Sequence, residues 1–316
     1  MDKEKKFISA VIYVHDAEKW IEGFLSAVRS VLEKHFEHSE IICVNDASED
    51  RSPEIIAEWG KHSGRIAVSM VNMSYFHGLE LSMDAGRDLA IGDYVLEFDR
   101  SLPDYEPEVI LQVYRRCLEG YDIVSAVPDR RERFFSRVFY AVFDHNSHLN
   151  NKMHTESFRI LSRRVINRID SMNLAVPYRK AVYASQGLKT DQLVYRPVPV
   201  PREREDRRMK SYKTSLAVDS LILFTSVGYR FSIAMTALMM LVSIFMILYT
   251  VIIYAMAHPV AGWTTTLLFL SVAFFSLFGI LTVVIKYLQI LVDLVFRRKR
   301  YSYESIQKFS GEEGEK

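Results

Sequence analysis

The chain has 316 residues, 49% of them hydrophobic, and its 40 Lys and Arg nearly balance 39 Asp and Glu for a formal net charge of +1. That balance argues against nucleic acid as a partner, and the length allows one soluble domain of about 200 residues plus a smaller apolar part. The two cysteines, Cys43 and Cys117, have no metal-ligand spacing and read as reduced packing residues, not as a disulfide framework.

In chain order, residues 7–14 (FISAVIYV) form a nearly continuous apolar run, as a strand buried on both faces requires. Residues 17–33 then place Trp20, Ile21, Phe24, Leu25, Val28, Val31 and Leu32 at helical spacing. A second buried strand over 40–44 (EIICV) ends in the polar turn 45–52, and Pro53 suits the first turn of a helix over 54–60. Residues 65–70 predict a third strand, 79–90 an amphipathic helix and 93–99 (DYVLEFD) a fourth strand. A helix over 108–118 and a strand over 122–127 follow, and the alternation implies an α/β domain with a mainly parallel sheet.

Beyond that point the pattern loosens. Residues 130–151 mix basic and aromatic side chains as in a helix with one apolar face, and 157–164 (SFRILSRR) leads into a helix at 165–171. Residues 194–213, with three prolines and dense charge, read as an extended linker, and 214–225 as an amphipathic helix lying along a membrane.

Two uncharged stretches, 231–257 and 259–285, come next. Each is about 27 residues, and at ~1.5 Å per helical residue reaches about 40 Å, enough to cross a ~30 Å hydrocarbon core. They predict a transmembrane hairpin. Tyr229 and Arg230 precede it, Lys286 and the run Arg297, Arg298, Lys299, Arg300 follow it, and the connection at 257–263 has no Lys or Arg. The positive-inside rule then puts the polar N-terminal domain and both termini in the cytoplasm, in a multi-pass membrane protein without a cleaved signal peptide. The expected organisation is an α/β domain over 1–210, a juxtamembrane amphipathic helix over 211–230, the hairpin over 231–292, and a basic, then disordered tail over 293–316.

Ligands of parallel α/β sheets bind beyond the carboxyl ends of the strands. Those ends carry His15-Asp16, Asn45-Asp46 and Asp99-Arg100-Ser101. VIYVHDAEKWIEGFL, ICVNDASEDRS, HGLELSMDAGRDLAIGDYVLEFD, SFRILSRR and RRMKSYK, in this order, resemble segments of the family 2 glycosyltransferases with the GT-A fold, in particular membrane-anchored synthases of polyprenyl- and dolichyl-phosphate sugars. The resemblance covers roughly residues 7–225. It implies a nucleotide sugar as donor, a polyprenyl phosphate as acceptor, and a divalent Mg²⁺ or Mn²⁺ held by an Asp-x-Asp pair. It also implies packing of copies through the hairpin as a homo-oligomer.

By that resemblance Asp16, Asn45, Asp46 and Asp99 bind the nucleotide sugar, and Asp99 is the metal ligand. The second acid of the pair is Ser101, which weakens a metal site. Asp104 is one substitute, and Arg100, pairing directly with phosphate through its planar fork, is another. Asp99, Arg100 and Glu156 are the candidate catalytic residues, with His154 beside Glu156. Arg202, Arg204, Arg207 and Lys210 are candidates for the acceptor phosphate. An alternative is a catalytically inactive homologue that serves as membrane scaffold or partner of an active transferase.

Overall fold

The computed structural model describes residues 3–130, 155–171, 178–185, 187–200, 207–224, 263–296 and 301–309, with scattered positions between 231 and 245. Strand β1 (Ile8–Val14) is buried at every position, because it lies between two parallel neighbours, β2 (Ser39–Asn45) and β4 (Tyr94–Phe98). Parallel β3 (Ala67–Met73) extends β2. With β5 (Ile123–Pro128), β6 (Phe158–Ser162), β7 (Thr190–Tyr195) and β8 (Tyr303–Phe309) the sheet has eight strands in the order β7-β5-β6-β4-β1-β2-β3-β8. Among the described residues only the pairings of β6 and β8 are antiparallel.

Side chains alternate across the sheet, so β1 sends Ile8, Ala10, Ile12 and Val14 to one face and Val11 and Tyr13 to the other. The first face is covered by α1 (Ile21–His35), α2 (Ser52–Lys61) and α4 (Glu108–Leu118). Helix α1 buries Ile21, Phe24, Leu25, Val28, Val31 and Leu32, the stripe its periodicity predicts. The second face is covered by α3 (Leu79–Leu89), α5 (Arg163–Ser171) and α6 (Arg179–Ser185). Helix α3 lies close enough that a Cβ on Gly86 would stand 2.4 Å from Val11 and 2.6 Å from Val44.

Several boundaries differ from the expectation, each for a physical reason. Helix α1 starts at Ile21, not at 17, because residues 18–20 form a tighter turn in which the Ala17 carbonyl accepts the Trp20 amide at 2.9 Å as well as the Ile21 amide at 3.0 Å. The expected linker gives way at Arg207, where α7 (Arg207–Phe224) begins. The C-terminal segment, for which no strand was expected, contains β8, which pairs with β3 and sets the Phe309 ring against Gly60, while the residues after 309, expected to be disordered, lie outside the described residues. The helix expected over 130–151 lies outside the described residues, as does nearly all of the stretch 231–257.

Among the described residues no helix is long and apolar enough to cross a membrane. Residues 263–285 of the second predicted stretch belong to α8 (Trp263–Phe296), a 34-residue helix in which many side chains are outside the described residues. Those described include Leu270, Phe274, Leu277, Leu281, Leu288 and Leu291, all exposed.

Candidate active site

The carboxyl ends of β1, β2 and β4 open onto one edge of the sheet, and two loops are fastened together there. The Asp16 carboxylate accepts the Glu49 amide at 2.8 Å, the Asp16 amide donates to Ser48 Oγ at 3.1 Å, and the Glu18 amide donates to Asp50 at 2.8 Å. Both loops carry a left-handed residue that is not glycine, Asp16 at φ 48° and Ala47 at φ 50°. Such backbone strain gathers where a loop has to present groups to a ligand. Asn45 accepts the Ser48 amide and donates to Asn72 Oδ1 at 3.0 Å, which leaves one amide proton at the rim.

Asp46 has a different role from the one expected of it. It is fully buried, and its carboxylate accepts Tyr13 Oη at 2.9 Å and the amides of His77 and Gly78 at 2.7 and 2.8 Å. With those bonds made it fastens the β3–α3 loop and offers no open edge to a base or ribose. The same loop is held from two other directions. Tyr212 of α7 lays its ring on Gly78 and accepts the Glu80 amide at 3.1 Å. His77 donates from Nδ1 to the Tyr75 carbonyl and accepts the Ser302 amide on Nε2.

Asp99 sits just past β4 at the centre of this edge, in a cluster of carboxylates and guanidiniums. Arg159 reaches it from β6 and Arg179 from the start of α6, each through Nη2 at 2.8 Å and each on a different carboxylate oxygen. Both arginines also donate through Nη1 to Glu97, at 3.0 and 2.8 Å. Arg159 Nε binds Glu156 and Arg179 Nε binds Glu80, both at 2.9 Å. Tyr183 closes the set by donating to Glu97 at 2.9 Å.

Arg159 and Arg179 are each only 1% exposed. Buried guanidiniums need full pairing, and losing one partner from such a set costs about 3–5 kcal/mol. Burial by itself would raise the pKa of Asp99, yet Arg159, Arg179 and Lys180 hold it far below the ordinary carboxylate value. The same contest at Glu156, burial against Lys180 and Arg159, also ends below the ordinary value. Both carboxylates are therefore ionised at neutral pH.

The donor set does not match the cation site that the resemblance implies. Both oxygens of Asp99 already accept a guanidinium, and residue 101 is a buried serine with no carboxylate to give. Asp104, the expected substitute, accepts Tyr195 Oη at 2.6 Å and Ser157 Oγ at 2.9 Å and pairs with Arg130, so it is committed elsewhere. Two unit charges ~4 Å apart repel by about 4 kcal/mol at an effective dielectric near 20, and a dication doubles this against each guanidinium. Among the described residues no three His, Cys, Asp or Glu side chains are grouped to hold a metal.

Arg100 stands exposed at the tip of the β4 turn. Arg202, Arg204 and His154 lie outside the described residues, as do the side chains of Arg207 and Lys210, although those two belong to α7. Arg208, their neighbour, reaches Glu49 at 2.8 Å and ties α7 to the rim.

Sequence reasoning passed over Glu80, Glu97, Arg159, Arg179, Tyr183 and Tyr212. One signal was available. Glu97 is an acid in the middle of a strand buried on both faces, and a buried carboxylate demands a charged partner.

A profile described as "Glycosyl transferase family 2" matches residues 9–174. An uncharacterized glycosyltransferase of Synechocystis is 30% identical over 188 residues, 58% of this chain and 58% of that protein. The alignment thus leaves more than a third of that relative unmatched. A prophage bactoprenol glucosyl transferase homolog of Escherichia coli is 28% identical over 235 residues, 71% of this chain and 74% of that one. Glucosyl-3-phosphoglycerate synthase from Mycobacterium tuberculosis, solved with phosphoglyceric acid, superposes with a TM-score of 0.51 at 13% identity, over 70% of this chain and 81% of that one, which shows a shared fold. The mainly parallel GT-A-like sheet and the profile that spans more than half of the sequence lead to one placement: this chain belongs to glycosyl transferase family 2.

Proposed function

We propose that the protein is an inverting glycosyltransferase that moves a sugar from a nucleotide sugar to a polyprenyl phosphate at the cytoplasmic face of a membrane. The observation that carries this reading is the ionised Asp99, held rigidly between Arg159 and Arg179 at the end of the central strand, with the strained loops of Asp16 and Ala47 beside it. The likeness to a protein named as a bactoprenol glucosyl transferase homolog supports the choice of acceptor. Basic groups flanking the apolar stretches support the membrane and its sidedness.

In this reading an oxygen of the lipid phosphate attacks the anomeric carbon from the face opposite the leaving nucleoside diphosphate. A phosphate monoester with a second pKa near ~6 is largely dianionic at neutral pH and needs no general base. Glu156 fits that requirement, because a carboxylate with a depressed pKa is a poor proton acceptor. Preorganised charge around the departing diphosphate is then the main source of rate.

The test is transfer of radiolabelled sugar from a panel of nucleotide sugars into the lipid fraction of membranes that contain the protein, beside Asp99→Ala. Lipid label that vanishes in the variant supports the reading. A second reading, a non-catalytic partner of an active transferase, draws on the internal bonds that consume Asp46 and Asp99. Absence of label with every donor, from folded protein and supplied acceptor, favours that one.

A further inference from the structure

We infer that helix α7 is a strut of fixed length between the apolar helix α8 and the Asp99 edge of the sheet. The ion pair of Asp219 with Lys286 is its bolt on the α8 side, and the two are positioning residues for a lipid-borne acceptor phosphate. The inference rests on the glycosyltransferase reading and adds to it the contact that sets how far the domain stands off the membrane.

Lys286 is the only charged residue between 263 and 292, and Asp219 is the only acid in α7. The two meet: Lys286 Nζ lies 2.8 Å from Asp219 Oδ1, with the side chains 30% and 28% exposed. That carboxylate oxygen is itself buried, and Ser215 Oγ stands 3.5 Å from the other one. A lone lysine near the end of an apolar helix can snorkel to water. This one turns instead to a carboxylate on a different helix, and an ionisable group inside an apolar stretch with a dedicated partner marks a functional contact.

Arg208, Tyr212, Ser215 and Asp219 follow one another at intervals of four, three and four residues, so they share one stripe of α7. That stripe is fixed at both ends. On the domain side Arg208 reaches Glu49 at 2.8 Å, and the Tyr212 ring lies on Gly78 and meets Phe76 edge-on, with 6.0 Å between ring centroids. On the other side stands Lys286. From residue 208 to residue 219 the helix rises about 16 Å.

The domain-side end belongs to the site. The Glu80 amide donates to Tyr212, the Glu80 carboxylate accepts Arg179 Nε at 2.9 Å, and Arg179 holds Asp99. A phosphate on a polyprenyl chain slides along the membrane but stays in the headgroup plane. Its meeting with the donor therefore depends on the height and tilt of the domain, and a misplacement of about 1 Å can cost ~100-fold.

The experiment uses the full chain in nanodiscs of phosphatidylethanolamine and phosphatidylglycerol, with undecaprenyl phosphate as acceptor and a panel of UDP-, GDP-, CDP- and dTDP-sugars as donors. Asp219→Asn and Lys286→Gln should each raise the KM for undecaprenyl phosphate about tenfold. The kcat and the KM of the nucleotide sugar should stay within about twofold of the wild type. Combining the two substitutions should be no worse than either alone, because both remove one contact. The reversed pair, Asp219→Lys with Lys286→Asp, should return the acceptor KM to within about threefold of the wild type. Should the single variants fail to fold, the reversed pair, which keeps both charges, decides by the same comparison. Equal losses towards donor and acceptor, a loss in kcat alone, additive losses, a reversed pair without recovery, or no loss each overturn the inference and leave the transferase reading standing. Absence of transfer by the wild-type chain from every donor overturns both.

Discussion

Gly78 lies flat against the ring of Tyr212: a Cβ added at residue 78 would stand 2.3 Å from the Tyr212 Cε2 and Cζ atoms. The contact docks α7 onto the loop that Asp46 holds from below, and residue 78 also has φ +83°. Gly78→Ala should therefore do two kinds of damage, expelling the ring and straining a backbone at φ 83°, ψ 166° by about 1–3 kcal/mol. We expect faster proteolysis within α7 and a melting temperature lower than in Tyr212→Phe, which keeps the ring and loses only the bond to the Glu80 amide.

The Asp99 carboxylate should contribute stability with a definite pH dependence. Its folded pKa is depressed, so its contribution is present above the unfolded value of about 3.9 and drains away as pH falls below that value. Asp99→Asn is expected to lower stability by about 3–5 kcal/mol at neutral pH. Thermal melts of the two proteins should keep a constant separation from pH 7 to about 4 and converge only as the pH is taken further down, below the unfolded value. A difference that stays constant below about pH 4 as well would mean that the charge is not what Asp99 supplies.

Ala47 holds φ 50°, a left-handed conformation that glycine adopts without steric cost. Ala47→Gly relieves a left-handed alanine but loosens the unfolded chain, for a net gain of about 0.5–1 kcal/mol. The check is a rise in the denaturant midpoint with an unchanged slope.

Gly86 is the point of closest approach between α3 and the sheet. Gly86→Ala should push the helix off Val11 and Val44 and cost about 1–3 kcal/mol, despite the better helix propensity of alanine. Urea denaturation measures this directly, and a stabilised variant would contradict the packing described.

Periodicity revealed what depends on neighbours along the chain. The stripe from Ile21 to Leu32, the apolar run of β1 and the polar ends of β1, β2 and β4 were legible because burial on one or two faces leaves a local imprint. Arg159 and Arg179 were not, since their partners Glu97, Asp99 and Glu80 lie 60 to 99 residues away. Tyr212, 132 residues from Glu80, is hidden for the same reason. Strand β8 left only a faint trace because an edge strand is buried on neither face throughout, and its burial alternates poorly. Asp46 shows the converse, since its position was evident while its inward turn was set by the amides of a loop 31 residues further on.

Strand β8 also fixes a parity. The chain leaves the domain through α7 and rejoins the same sheet at Tyr303, bonded to β3. Both ends of the intervening segment are thus tied to one body, and any excursion of that segment across a bilayer has to be undone before the strand can pair. Crossings come in even numbers, and a single one is incompatible with the sheet. The order of events in biosynthesis follows, because β3 keeps this edge open until residues 303–309 have been made. Protection of the β3 amides from hydrogen exchange would then report that the chain has been made as far as Phe309, the apolar stretches included.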